Sequence, residues 1–278
     1  MTLETFLQQR ADPDGLLSLS VYAEAERKFS VTHYEIERVL LENGLFPLRY
    51  QRQRALFGSL NQLRLLRARV AIVGCGGLGG SLLEMLVRLG VGRLLVIDPD
   101  FLVEHNLNRQ LLATAETLGC SKVDTASAYA KAVNPAVQVE PLKDIFQSPE
   151  GRRRIAACDL VFDALDSIPA RLELAELCSR SDLMLIHGAV AGWHGQMVPI
   201  EPGSEKMSQI YAGSSFADPD GRAYSEDDIS SANLAPTVNA VAALQVAAGL
   251  KYLFENDSES SKTGCFINLE DLELELMR

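Results

Sequence analysis

From residue 69 onward the chain alternates short, nearly uninterrupted apolar runs with longer amphipathic stretches. RVAIVG (69–74) and RLLVID (93–98) have the continuous apolar character of strands buried on both faces, and SLLEMLVRLG (81–90) between them has helical spacing that Gly90 ends. Together they predict a βαβ unit. The alternation continues with a helix over KVDTASAYAKAVN (122–134) and strands over VQVEPL (137–142) and DLVFDAL (159–165). A helix over ARLELAELCSRS (170–181) and a strand over LMLIHGAV (183–190) follow. GQMVPIEPG (195–203) reads as an antiparallel strand, PTVNAVAALQVAAGLKYL (236–253) as a helix opened by Pro236, and INLEDLELELM (267–277) as an exposed strand or hairpin. The predicted class is α/β: a Rossmann-like, doubly wound, mostly parallel sheet that continues into antiparallel strands.

Two segments fall outside this rhythm. Residues 1–48 show helical periodicity in EAERKFSVTHYEIERVLLENG, broken by Gly44 and Pro47, and predict an N-terminal helical extension ahead of a main domain over 49–278. Residues 203–233 are rich in Gly, Ser, Asp and Pro with little periodicity, as expected of a lid or binding loop.

Composition narrows the class of partner. The 278 residues, 47% hydrophobic and 23% charged, describe an ordinary folded chain, and its net charge of −11 repels phosphate backbones and anionic lipid. Neither nucleic acid nor a membrane surface is an expected partner. The stretches 183–200 and 229–250 lack charge but are interrupted by His, Asn, Gln, Gly and Pro, so both read as core elements rather than membrane spans. MTLETFLQQRADPDG has no apolar core of signal-peptide type. Cysteines at 75, 120, 158, 178 and 265 form no C-x-x-C pair, which predicts neither disulfides nor zinc and fits a reducing, cytoplasmic compartment.

The candidate chemistry begins at Gly74-Cys75-Gly76-Gly77-Leu78-Gly79-Gly80, which follows a predicted strand and opens a helix. Glycines there let backbone N–H groups approach a phosphate at the positive end of a helix. Gly74, Gly76, Gly77 and Gly79 are therefore candidate nucleotide contacts, and Asp98, ending the next strand, is placed to accept from ribose hydroxyls. NAD and ATP both satisfy this much. The run that follows, with Asp100, Asn106, Arg109, Gln110 and Lys122, favours a triphosphate. Arg109 can bind phosphate oxygens bidentately, and Lys122 supplies a point charge. Asp163-Ala164-Leu165-Asp166 stands at the C-terminal end of a strand, where open α/β sheets bind ligands, and a carboxylate there could hold Mg²⁺. The plainer roles are a solvated pair for Arg109 and Lys122 and a helix N-cap for Asp166.

Taken in order, GCGGLGG, VIDPDFLVEHNLNRQ, SKVDTA and DALDSIPAR resemble the MoeB/ThiF/HesA family, bacterial relatives of ubiquitin-activating enzymes, over residues 49–253. The resemblance implies a homodimer that uses Mg·ATP to adenylate the C-terminal glycine of a small ubiquitin-like sulfur carrier ending in Gly-Gly, such as ThiS or MoaD. It implies that Arg52, Arg109, Lys122 and Asp166 are catalytic, that Asp166 serves Mg²⁺ through ATP, and that Arg52, within RYQRQ (49–53), is lent to the neighbouring subunit. The cysteine pairs that bind zinc in many members are replaced here by MSQIYAG (207–213) and NLAPTVN (233–239), so no zinc site is expected. No cysteine lies between 178 and 265, which leaves none in the lid for a covalent step; Cys75, Cys120 and Cys178 are expected to pack as small apolar residues. His187 and His194 bracket the segment where the family passes from its sheet to the carrier-tail groove, and Gly188, Gly192 and Gly195 would leave a diglycine tail room.

Other readings remain at this level. The same fold can adenylate another carboxylate or an amide, on a peptide or a modified tRNA base. A nicotinamide oxidoreductase would explain the glycine loop and Asp98 but not NLNRQ, Lys122 or DALD, and a non-catalytic scaffold would not need Arg52, Arg109, Lys122 and Asp166.

Overall fold

In the computed structural model, which describes residues 1–212, 233–255 and 263–277, the N-terminal periodicity resolves into three helices. These are α1 (Leu3–Arg10), α2 (Tyr22–Phe29) and α3 (His33–Glu42). Thr32 and Glu35 form a capping box at the start of α3, and Ser30, in the left-handed region at φ 54°, turns the chain between α2 and α3. Two-residue strands β1 (Leu16–Leu17) and β2 (Phe46–Pro47) pair in parallel beside them, a feature too short to leave a periodic signal. Phe6, Leu7, Leu17, Tyr22, Ala25, Ile36 and Leu40 form their own apolar cluster. A 3-10 turn over Leu48–Gln53 then leads into α4 (Arg54–Arg67).

The apolar runs become parallel strands β3 (Arg69–Val73), β4 (Arg93–Ile97), β5 (Gln138–Leu142), β6 (Leu160–Asp163) and β7 (Leu185–Ala191). Antiparallel strands β8 (His194–Ile200), β9 (Gly264–Asn268) and β10 (Glu273–Met277) complete the sheet in the order β5-β4-β3-β6-β7-β8-β9-β10. The antiparallel pairing of β8 and the terminal hairpin of β9 and β10 match the sequence expectation. Alternation along β3 sends Val70 and Ile72 to one face and Ala71 and Val73 to the other.

Helices α5 (Gly77–Leu89), α6 (Lys122–Val133) and α10 (Ala235–Glu255) cover the first face. The second carries α7 (Pro149–Ile155), α8 (Ile168–Arg180) and α9 (Lys206–Tyr211). The result is a three-layer α/β/α sandwich. Residues Ala235–Phe254 of α10 are long and apolar enough by composition to cross a membrane, and in this fold they bury Val238, Val241, Ala242 and Val246 against the sheet.

Four expectations are corrected. The helix after the glycine loop starts at Gly77, not Ser81, because the small residues of that first turn fit between Gly74, Leu112 and Val238. The expected loop from 203 contains α9, anchored by buried Met207; residues 213–232 of the expected lid lie outside the described residues. Gly188 and Gly195 make room for α10 rather than a tail: a Cβ would come within 2.4 Å of Gln245 at the first and 2.3 Å of Val241 at the second. Only Gly192 of the three faces open space. Lastly, Cys120 is exposed instead of packed, since it precedes the N-cap of α6 at the surface.

Candidate active site

The sheet reverses direction of winding between β3 and β6, and the site assembles at that switch point. Register sets Val73 opposite Asp163, so Gly74 and Ala164 leave the sheet side by side. Their backbones are so close that a Cβ on Gly74, which has φ +94°, would stand 2.5 Å from the Ala164 carbonyl oxygen. Gly79 is equally constrained, since its Cβ would lie 1.9 Å from Gly74 O. The loop thereby closes tightly over the N-terminus of α5, a cradle for phosphate.

Asp98 shapes this cradle from β4. Its carboxylate accepts from the backbone N–H of Cys75 at 2.6 Å and of Asp100 at 2.9 Å, leaving lone pairs on each oxygen for a ligand. Lys122, the first residue of α6, is buried despite its charge: Nζ lies 2.8 Å from Asp100 and 3.6 Å from Asp98. That removes the solvated-pair alternative for Lys122. Cys75 lies within the same loop, and burial first, then Asp98, push its thiol up to about 12.

Between β4 and α6 the polar run wraps over the loop. Asn106 is buried and spends Oδ1 on the Val103 N–H, so it braces the turn that carries Arg109 and Gln110. Arg109 is half-exposed, donating to His105 O at 2.9 Å and Asn108 Oδ1 at 2.8 Å. Gln110 reaches back over Gly76, where a Cβ would meet its Nε2 at 3.5 Å. Its Oε1 is buried without a partner among the described residues. Such an acceptor in a phosphate cradle fits a ligand that brings its own donors.

Asp166 stands on the loop after β6. It is exposed, and Ser167 rather than Asp166 occupies the N-cap of α8 without a side-chain capping bond, so the N-cap alternative does not hold. One carboxylate beside a phosphate cradle suits Mg²⁺, which takes few protein ligands and completes its shell with phosphate oxygens and water. Among the described residues no three His, Cys, Asp or Glu side chains converge as a metal cluster. Arg52 belongs to a different neighbourhood. Gln53 Nε2 donates to Leu89 O and Tyr50 abuts Gly90, so the Arg52 segment lies at the C-terminal end of α5, about 20 Å of helix from the glycine loop. Arg52 is exposed and makes no ion pair among the described residues.

Two buried polar clusters escaped the sequence reading. In one, Asp163 and His187, opposite each other in β6 and β7, bond at 2.7 Å, with Tyr211, Arg171 and Gln196 around them. Burial, against the opposing effect of Asp163, holds the His187 imidazole below its ordinary range. His187 is fully buried against Asp163, and His194 stacks on Phe266. In the other cluster, Glu37 of α3 receives Tyr22 and Tyr50 hydroxyls and pairs with Arg49 at 2.7 Å. Burial raises the Glu37 carboxyl to about 7 although Arg49 and both tyrosines favour its ionised form.

A glycine cradle, a buried lysine and a carboxylate at the switch point of an α/β sheet define a nucleotide-binding protein of Rossmann-like class. The chain belongs to the ThiF family, whose signature matches residues 50–278. It is 36% identical over 145 residues to the SAMP-activating enzyme E1 of Haloferax volcanii, 52% of this chain and 54% of that protein. To the sulfur carrier protein adenylyltransferase of Thermus thermophilus it is 38% identical over 151 residues, 54% of this chain and 56% of the relative. These matches span about half the length of either relative. The molybdopterin-synthase adenylyltransferase of Escherichia coli matches at 30% over 213 residues, 74% of this chain and 82% of that one. The solved structure of E. coli MccB with ATP shares the fold at a TM-score of 0.67 and 19% identity, covering 92% of this chain and 82% of that chain.

Proposed function

We propose that this protein is an adenylyltransferase that uses Mg·ATP to adenylate the C-terminal glycine carboxylate of a small ubiquitin-like sulfur carrier ending in Gly-Gly, releasing pyrophosphate. The observation that carries the reading is the meeting, at one switch point, of the glycine cradle, buried Lys122 and the Asp166 loop. Relatives named as sulfur carrier and molybdopterin-synthase adenylyltransferases support the choice of acceptor.

The chemistry follows from charge. A C-terminal carboxylate, with a pKa of about 3.5, is ionised at neutral pH and needs no general base. The task is to bring it in line with the α-phosphate while two anions repel each other. Lys122 offers an ammonium with few competing waters, the Asn106 turn carries Arg109 past Gly77 of the glycine loop, and the α5 N-terminus adds its dipole. Mg²⁺, held by Asp166 with the ATP phosphates, adds positive charge to the polyphosphate when bound. Asp98 and Asp100 keep Lys122 aimed at the loop. Arg52 comes from a second copy in a homodimer, since its own segment lies at the far end of α5.

Likeness to MccB, solved in complex with the peptide N-formylated MccA, favours a peptide terminus as the second reading of the acceptor. Pyrophosphate exchange into ATP tests both. A Gly-Gly carrier should stimulate exchange and its truncation by one glycine should abolish it; exchange equally fast without a carrier, or stimulated only by an unrelated peptide, would refute the first reading.

A further inference from the structure

Asp166 has no side-chain bond of its own among the described residues, so its position depends on the backbone that presents it. That backbone is held at the preceding residue by a closed ring. Leu165 N–H donates to Asp163 Oδ1 at 2.9 Å, and Leu165 O accepts from Arg171 Nε at 3.1 Å and Nη2 at 2.7 Å. The remaining links run Arg171 Nη1 to Tyr211 Oη at 2.8 Å, Tyr211 Oη to His187 Nε2 at 3.0 Å, and His187 Nδ1 to Asp163 Oδ2 at 2.7 Å.

One assignment of donors and acceptors satisfies every link of the circuit, and Gln196 Nε2 faces the same His187 Nε2 at 3.3 Å. A carboxylate accepts, so His187 carries its proton on Nδ1 and presents Nε2 as an acceptor. Tyr211 donates its hydroxyl hydrogen to that nitrogen, which leaves its oxygen free for Arg171, a group that can only donate. Gln245, on α10, staples the same two strands by donating to Asp163 O at 2.9 Å and Ile186 O at 3.0 Å.

We propose that His187 and Tyr211 are positioning residues for Asp166, acting through Arg171 and Asp163 on the two backbone groups of Leu165. The proposal rests on the reading of Asp166 as the Mg·ATP carboxylate. It assigns a purpose to an Asp-His pair with no exposed surface and to the partly buried tyrosine bonded to it. It also ties α9 to the nucleotide site, because Tyr211 is the last residue of α9.

A double-mutant cycle on the full-length chain tests it, with Mg·ATP binding read by calorimetry. Tyr211→Phe removes one link of the ring and should weaken Mg·ATP about tenfold, the order of a bond to a charged group. Asp166→Asn should weaken it at least as much, and adding Tyr211→Phe to Asp166→Asn should change nothing further. His187→Asn, which can still face Asp163 but cannot reach Tyr211, breaks the same link and should also weaken Mg·ATP about tenfold. Equal losses from Tyr211→Phe in both backgrounds, or wild-type affinity in Tyr211→Phe and His187→Asn, would overturn the ring. A wild-type chain that fails to bind Mg·ATP would overturn the reading of the site beneath it.

Discussion

Glu37 offers a prediction whose size can be worked out. Its carboxyl is buried among Arg49, Tyr50 and Tyr22, and burial raises it to about 7 from an ordinary 4.5. Between those values the folded chain keeps a proton that the unfolded chain has released. The stabilising contribution is therefore complete below about 4.5, declines as pH rises, and is gone above about 7. At 1.36 kcal/mol per unit, the difference amounts to about 3 kcal/mol. Glu37→Gln mimics the protonated carboxyl at every pH and removes this slope. Its amide adds a constant offset, because it donates where a carboxylate accepts, so the informative quantity is the change with pH and not either stability alone. Urea unfolding of both proteins from pH 5 to 8 should show the variant gaining about 2.5 kcal/mol on the wild type across that range, the part of the difference that lies above pH 5. Parallel curves would refute the reasoning and mean that Arg49 and the two tyrosines keep Glu37 ionised throughout.

The remaining predictions concern the site. Lys122→Ala and Asp166→Ala should each abolish carrier-stimulated pyrophosphate exchange while circular dichroism stays native; unchanged exchange would remove them from the site. Gly79→Ala places a Cβ 1.9 Å from Gly74 O, so the loop must open and ATP affinity should fall at least a hundredfold by calorimetry, on the order of 3 kcal/mol. Alkylation of the native protein at pH 8 should modify Cys120 alone, because the thiols of Cys75, Cys158 and Cys178 are pushed up to about 12 by burial and Cys265 is buried; mass spectrometry of the labelled chain reads this directly. Arg52→Ala mixed with Lys122→Ala should recover part of the activity after subunit exchange, and mixtures that stay inactive would mean that each site is built from one chain.

The legible parts of this protein are those whose physics is local. Parallel strands buried on both faces must be apolar throughout, so RVAIVG and RLLVID announce themselves, and the glycine loop between strand and helix carries its own purpose. Lys122 and Asp98 could be placed near that loop because each ends or begins a recognisable element. What escaped depends on distance along the chain. The ring around Leu165 draws on β6, β7, α8 and α9, with no two of its side-chain members closer than eight residues in sequence, and Glu37 meets Arg49 and Tyr50 only after the helical extension has folded. The place of His187 stayed open in the sequence, because a histidine beside glycines looks the same whether it lines a groove or lies buried against a carboxylate. The glycines at 188 and 195 misled, since the sequence does not say whether a helix or a ligand uses the room.

The central claim is transfer of an adenylyl group to a carboxylate. It is tested most directly by incubating the protein, Mg²⁺ and a Gly-Gly carrier with ATP radiolabelled at either the α- or the γ-phosphate, and separating the carrier under acid. Label from the α-position should appear on the carrier, be released as AMP by mild base, and be absent when the carrier lacks its terminal glycine. Label arriving from the γ-position, or no label on the carrier while ATP is bound and turned over, would contradict the account.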